Sequence, residues 1–265
     1  MKIIQISDTH LSLVADHFIG NWPPLATWIE AEKPDLVIHT GDLTMDGADR
    51  VEDLRYAAAL LQGLTAPVRA VPGNHDVGDA RDAKQPVDAA RLAQWRAEIG
   101  DDRWFVDLGR WRLIGLDALL IGSGTEEEDE QAAWLDAAMD GTGGRQLAWF
   151  MHKPLFLEAP GDTEPGYWAV KPAQRQAWLD RLRRHNVALV GTGHLHKAHQ
   201  AAVEGTSYVW APSSAFLCGP QIQPDMPGDK YLGAVVYDFD GDRVAARIVA
   251  VPGLETHWRP APPPP

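Results

Sequence analysis

The sequence predicts an α/β fold on three observations: apolar runs of strand length, helix-patterned stretches between them, and polar residues gathered where the runs end. Lys2–Ile6 reads as a buried strand that runs into Ser7-Asp8-Thr9-His10. Leu25–Glu32 is helical, and Pro34, which cannot continue a helix, ends it. Leu36–His39 is the next strand and empties into Gly41-Asp42. Asp49–Gln62, rich in Ala and Leu, is a second helix, and Val68–Val71 a third strand leading to Pro72-Gly73-Asn74-His75-Asp76. Further helices are expected at Asp88–Glu98, Glu130–Met139 and Gln174–Arg184, and strands at Arg112–Leu116, Gln146–Met151 and Val187–Val190. The pattern then changes to strands joined by turns, over Ala198–Val203, Ser207–Trp210, Gly233–Asp238 and Arg243–Val251, with Glu204-Gly205 and Asp240-Gly241 at hairpin positions. Residues 1–258 read as a single domain, and the proline-rich segment 259–265 as a loose tail that suits neither helix nor ladder.

The chain has 265 residues, 45% of them hydrophobic and 11 of them Trp, so a large core can be buried and a disordered chain is excluded. Cys218 is the single cysteine, which excludes an intrachain disulfide and any metal site built on a pair of thiolates. The opening apolar run is too short for the core of a signal peptide, and no later stretch reaches membrane-spanning length. A cytoplasmic protein with no membrane partner is the expectation. A net charge of −13 argues against binding a nucleic-acid polymer, which needs a basic surface, but bound divalent cations can reverse the field locally and admit a small anion.

The chemistry gathers at the strand ends. Asp8, His10, Asp42, Asn74, His75, His152, His194 and His196 all fall just after predicted strands, and in α/β sheets ligands collect beyond those carboxyl ends. Imidazole, carboxylate and carboxamide without sulfur suit Mn, Fe, Zn or Co. Asp8 and His10 are two apart, as are His194 and His196; in extended backbone each pair projects to one side with alpha carbons roughly 6.5 Å apart. Gly41 and Gly73 precede ligand candidates, where a missing side chain permits unusual torsions and close approach. Singly, each block has a plainer reading as a turn or a packed histidine. In conjunction, and each at a strand end, the blocks point to a metal site. His17, His39, His185 and His257 read as surface or packing residues, and the acidic run Glu126–Glu130 as a solvated helix N-terminus.

In order and content, Asp8-Thr9-His10, Gly41-Asp42, Gly73-Asn74-His75-Asp76, His152 and Gly193-His194-Leu195-His196 resemble the calcineurin-like metallophosphoesterase family. The resemblance implies a four-layer α/β/β/α sandwich carrying two divalent metal ions. It implies that Asp8, His10, Asp42 and His196 hold the first ion, that Asp42 bridges, and that Asn74, His152 and His194 complete the second. His75 would approach the substrate phosphate without binding metal. Within the family the chain is most similar to bacterial class III cyclic-nucleotide phosphodiesterases, on its size, its opening Ile-Ser-Asp-Thr-His-Leu and Glu130-Gln131-x-x-Trp134-Leu135. It departs from them at Met151-His152-Lys153-Pro154, where many members carry a second histidine, and this leaves cyclic AMP an open question as substrate.

Two divalent ions, two aspartates and a hydroxide leave such a site near +1, enough to hold a phosphodiester anion. Coordination lowers the pKa of water from about 15.7 toward 7, which makes a hydroxide nucleophile available. The expected activity is therefore hydrolysis of a small phosphodiester, with nucleotides and cyclic nucleotides among the candidates. His75 is read as acid to the leaving oxygen and Asp76 as orienting its ring. A phosphomonoesterase, a nucleotide pyrophosphohydrolase and a non-catalytic metal-binding scaffold stay as alternatives. The loop 154–172 is expected to overhang the rim, with Phe156, Tyr167 and Trp168 either anchoring it or stacking on an organic group of the substrate.

Overall fold

A computed structural model describes residues 1–163 and 166–260. In chain order the first half contains β1 (Lys2–Ile6), α1 (Trp22–Glu32), β2 (Leu36–His39), α2 (Val51–Gln62), β3 (Val68–Ala70), α3 (Asn74–Val77), α4 (Ala89–Glu98), β4 (Trp104–Leu108), β5 (Trp111–Leu116) and α5 (Glu126–Asp140). The second half contains β6 (Gln146–Met151), α6 (Pro172–Arg184), β7 (Leu189–Thr192), β8 (His199–Val203), β9 (Thr206–Trp210), β10 (Leu217–Cys218), β11 (Gly233–Asp240), β12 (Arg243–Ala250) and β13 (Trp258–Arg259).

Two sheets face each other. One has the order β12-β11-β1-β2-β3, with β1, β2 and β3 parallel and β11 antiparallel to β1. The other has the order β4-β5-β6-β7-β9-β8, parallel from β5 to β9 with antiparallel strands at both edges. Between them Ile3, Leu36, Ile38, Val235 and Tyr237 pack on Leu113, Ala148, Phe150, Leu189 and Val209. On the outer face of the first sheet, Ile4, Ile6 and Val37 meet Leu25 and Ile29 of α1, Leu54 of α2, and Leu92 and Trp95 of α4. On the outer face of the second, Ile114, Leu147 and Trp149 meet Leu135 and Met139 of α5 and Trp178, Leu179 and Leu182 of α6. This is the four-layer α/β/β/α sandwich, and it exists because both faces of each parallel sheet are apolar and need cover.

Most element ends move by one or two residues from the sequence reading; the larger differences have local causes. Helix α1 begins earlier, at Trp22, with Pro23 and Pro24 in its first turn, where N–H groups lack intrahelical acceptors anyway. Helix α5 begins at Glu126, so the acidic run forms the first turn, next to the positive end of the helix dipole. The edge strand β4 went unread, because only Trp104 in it is fully buried and the apolar signal is weak. Arg259, placed in the tail by composition, lies in β13 and pairs with Cys218 of β10. Residues 261–265 of that proposed tail lie outside the described residues.

A buried polar bridge lies between the sheets just below the rim. The Gln5 amide donates to Thr40 Oγ1 at 2.8 Å and to the Thr192 carbonyl at 3.0 Å, and its oxygen accepts from the Tyr237 hydroxyl at 2.6 Å. The bridge holds the ends of β1, β2 and β7 in fixed relation.

Candidate metal centre

Every predicted ligand, and His75 with them, lies at the carboxyl end of a parallel strand: Asp8 and His10 after β1, Asp42 after β2, Asn74 and the non-ligand His75 after β3, His152 after β6, and His194 and His196 after β7. All of them are buried except His75, which is partly exposed. The spacing argument from extended backbone does not describe how they converge. Asp8 (φ 54°), His10 (φ 46°), Asp42 (φ 50°), His194 (φ 67°) and His196 (φ 50°) are left-handed. Each such residue costs roughly 1–2 kcal/mol, a cost found chiefly where function constrains the backbone. Cross-strand bonds hold the conformation: Asp8 N–H donates to the Gly41 carbonyl at 3.0 Å and His10 N–H to the Asp42 carbonyl at 3.1 Å.

The glycines make room. A methyl group on Gly73 would run into the Asp42 amide nitrogen and carboxylate, and one on Gly41 would stand 2.7 Å from His152 Nδ1. At Gly193 it would meet Ser7 Oγ, and Asp8 Oδ2 at 2.8 Å.

Donor atoms form two groups that share an edge. In the first, His196 Nε2 stands 3.3 Å from Asp8 Oδ1 and 3.3 Å from His10 Nε2. In the second, His152 Nε2 stands 3.2 Å from Asn74 Oδ1, 3.1 Å from His194 Nδ1 and 3.4 Å from Asp42 Oδ2. Asp42 Oδ2 also lies 3.8 Å from His10 Nε2, so it faces both groups. Donors each about 2.1 Å from one ion stand about 3.0–3.4 Å apart, the spacing of most of these pairs, while His10 Nε2 stands wider, 3.8 Å from Asp42 Oδ2 and 4.0 Å from Asp8 Oδ1. Asp8, His10 and His196, and likewise Asp42, His152 and His194, present donors all within 4.8 Å of one another. His75 comes within the same range of His10 and Asp42.

Three of the four ligand-candidate histidines commit their outward nitrogens to backbone. His152 Nδ1 bonds the Thr40 carbonyl at 2.8 Å, His196 Nδ1 the Phe216 carbonyl at 2.7 Å, and His194 Nε2 the Tyr167 carbonyl at 3.3 Å. A carbonyl only accepts, so each ring gives up its N–H there and turns a lone pair inward, the usual orientation of metal-ligating histidine. Two buried atoms of the site are left without partners among the described residues. Asp8 Oδ1 is buried and lacks a hydrogen bond, as is His10 Nδ1 on the other side of its ring. Burial opposes a charge on His152, but the carboxylates of Asp42 and Asp8 outweigh it and raise the ring to about 9. Burial also presses Asp42 upward, yet His152 and His75 hold it well below the usual carboxylate range. Burial lowers His10 and His194 well below the usual range, so the fit to cations rests on the donors themselves: two buried carboxylates, one with an unpartnered oxygen, among imidazole nitrogens. The residues present fit divalent metal ions.

One detail corrects the sequence reading. Asp76 does not touch the His75 ring. Its carboxylate accepts from Leu43 N–H, Thr44 N–H, Thr44 Oγ1 and Gly73 N–H at 2.7–3.0 Å, so it clamps the two glycine loops together. The His75 ring is held by the Met45 carbonyl, 2.7 Å from Nδ1. Phe156 is buried against Tyr208, with ring centroids 4.7 Å apart, and anchors its loop, whereas Tyr167 and Trp168 stand over His194 at 4.8 and 5.7 Å. Lys153 forms an ion pair with Asp79, its ammonium 4.4 Å from the centre of the Tyr167 ring. Residues 164–165 of the same loop lie outside the described residues.

His39 proves to be a supporting residue. Gly41 N–H donates to its Nδ1 at 3.2 Å, so Nε2 carries the proton toward Thr9 Oγ1 at 3.0 Å, and Thr9 in turn donates to the Leu43 carbonyl at 2.8 Å. Burial lowers its pKa to about 4. Ser213 was not singled out in the sequence. Its hydroxyl donates to the Asp8 carbonyl at 2.9 Å and accepts from Ala215 and Phe216 N–H at 3.0 and 3.2 Å.

Two sheets with a shared histidine–aspartate rim at their carboxyl edge define a protein of the metallophosphoesterase fold. The chain belongs to the calcineurin-like phosphoesterase family, whose profile matches residues 1–198. It is 30% identical over 165 residues to a 3′,5′-cyclic adenosine monophosphate phosphodiesterase, CpdA, of Pseudomonas aeruginosa, covering 58% of this chain and 55% of that protein. It is 30% identical over 200 residues to the serine/threonine-protein phosphatase CPPED1 of Danio rerio, covering 70% of this chain and 61% of the relative. These matches therefore span less than two thirds of either relative's own length. Among solved structures, a dimetal phosphatase from Danio rerio superposes with a TM-score of 0.63 at 17% identity, over 93% of this chain and 95% of that one, a likeness of fold.

Proposed function

We propose that the protein is a metal-dependent phosphoester hydrolase acting on a small phosphodiester. The observation that carries this reading is the pair of donor groups meeting at Asp42 Oδ2. Asp8, His10, Asp42 and His196 would hold one divalent ion and Asp42, Asn74, His152 and His194 the other, with Mn, Fe, Zn and Co all compatible with the donors. Ions there supply positive charge for the phosphate oxygens and acidify water toward neutrality.

The chain's own residues do the rest. The pocket in front of the donors, about 380 Å³, is lined by His75, Tyr167, Trp168 and Phe216 besides the ligands. With Nδ1 of His75 committed to the Met45 carbonyl, a proton given to the leaving oxygen comes from Nε2. Tyr167 and Trp168 offer aromatic faces to an organic group on the phosphate, and the similarity to a cyclic-nucleotide phosphodiesterase supports a nucleotide-like group. Among the described residues, no helix is long and apolar enough to cross a membrane. We read the partner as a small phosphoester, not a nucleic-acid polymer, and the setting as cytoplasmic.

The test is a panel of phosphate monoesters, diesters, cyclic nucleotides and pyrophosphates, run on chelated protein and after reconstitution with each metal. Asp42→Ala should lose bound metal. His75→Ala should keep it while turnover falls by roughly 10²–10⁴-fold. Absence of turnover on every substrate with every metal, at full metal content, would leave the scaffold alternative standing.

A further inference from the structure

Beside the pocket lies a larger cleft of about 990 Å³, and one side chain lines both: Arg259 of β13. Its guanidinium carbon stands 5.7 Å from the centre of the Phe216 ring and its Nη1 3.5 Å from Met45 Sδ. These are the two residues whose carbonyls orient His196 and His75, so the arginine is placed by the same segments that place the site. The Phe216 ring is 4.3 Å from the His196 ring, and these two legs, 4.3 and 5.7 Å, put the guanidinium carbon at most 10.0 Å from a candidate ligand.

Arg259 meets no carboxylate within ion-pair distance among the described residues; its one side-chain polar contact there is a thioether sulfur, a weak acceptor. Other arginines of this acidic chain do find carboxylates, as Arg96 does with Asp102 and Glu127, Arg112 with Asp107 and Arg181 with Asp136. A second arginine, Arg50 at the head of α2, lines the larger cleft, and its buried Nε has no hydrogen-bond partner. Asp46 is the carboxylate on the same lining, and Gln85 donates to it at 3.4 Å. A cleft that keeps two guanidinium groups, neither in an ion pair among the described residues, against one lining carboxylate, in a protein of net charge −13, is suited to an anion.

Resting on the hydrolase reading above, the geometry points to a second anion subsite at Arg259 and Arg50: the substrate is a phosphoester whose organic part carries a further phosphate or carboxylate. With the scissile phosphate at the candidate ligands, that organic part spans the pocket and its second anionic group reaches Arg259. A guanidinium recognises either anion through paired N–H donors. A cyclic nucleotide, with one phosphate, leaves this subsite unused.

The test is equilibrium binding by calorimetry to the full chain loaded with Mn²⁺, using adenosine 5′-monophosphate and adenosine 3′,5′-bisphosphate. Wild type should bind the bisphosphate tighter by about ten-fold or more, the worth of one charge-assisted contact. Arg259→Gln should remove that preference, weakening the bisphosphate far more than the monophosphate, while Arg259→Lys retains part of it. If Arg259→Gln does not fold, Arg50→Gln, on another element, should weaken the bisphosphate alone. Equal affinities in wild type, or variants that weaken both ligands alike, overturn the subsite. A protein that shows the preference yet hydrolyses no phosphoester would sink the hydrolase reading and keep the subsite. Turnover without the preference would do the reverse.

Discussion

Gly73→Ala isolates the geometry of the candidate metal centre from its chemistry, since no candidate ligand is removed. Gly73 has φ −107° and ψ 179°, a conformation open to alanine, so the substitution introduces no backbone strain. The added methyl would collide with the Asp42 amide nitrogen and carboxylate. The amide belongs to the backbone and cannot swing aside, and Asp42 Oδ1 already accepts from His75 N–H at 2.9 Å. The Gly41-Asp42 turn must therefore shift by about 1 Å, a displacement able to cost about 10²-fold where positioning is critical. Overpacking of this kind costs about 1–3 kcal/mol of stability. The assay is Mn²⁺ titration of the chelated protein, paired with urea unfolding. Gly161→Ala is the control, because nothing lies within 4 Å of a methyl group there. Expected for Gly73→Ala are an intact fold and metal affinity weakened by about 10–100-fold. Wild-type affinity and stability in Gly73→Ala would refute the view that this glycine exists to admit Asp42.

Three other outcomes are expected. Tyr167→Ala with Trp168→Ala should lower kcat/KM on nucleotide diesters by about 10–100-fold, from roughly 1–3 kcal/mol per stacked base, and spare a minimal aryl diester; equal, small effects on both would mean that the rings only hold the loop. Arg81 donates to the carbonyls of Gly166 and Ala169, so Arg81→Met should raise amide hydrogen exchange over 166–169 and KM together, with metal content unchanged. His39 is lowered from 6.5 to about 4, so below pH 6.5 the unfolded chain binds a proton that the native ring refuses. Its stabilisation is present above that pH and is lost as pH falls toward 4, on the order of 3 kcal/mol in all. Urea midpoints at pH 7 and 5 for wild type and His39→Gln should converge at the lower pH, and a gap independent of pH would show that the ring is not held neutral.

The sequence was most legible where chemistry is local. Asp8, His10, Asp42, Asn74, His152, His194 and His196 could be picked out because their residue types and strand-end positions are properties of short segments. The four-layer architecture followed from the same short blocks, through the resemblance they carry. Contacts were legible less often. Asp76 is next to His75 in the chain, and that adjacency suggested a partnership; in the fold the ring instead meets Met45, 30 residues earlier. The two-residue spacing of the ligand pairs was noticed, but their left-handed backbone was not, because φ is imposed by bonds such as Asp8 N–H to Gly41 across the strands.

What the sequence alone determined, then, is which atoms are available: imidazole nitrogens, carboxylate oxygens and the glycines beside them. Only the tertiary structure decided that Asp42 Oδ2 faces both donor groups, that Lys153 is spent on Asp79, and that Arg259 belongs to a strand at the rim. The physical reason is that donor chemistry is carried by each residue, while distances across 30 to 200 residues of chain are set by how two sheets pack, and that depends on every core side chain at once. A proline-rich ending reads as loose because proline forms no ladder of its own; a partner at Leu217–Cys218 gives Trp258–Arg259 one.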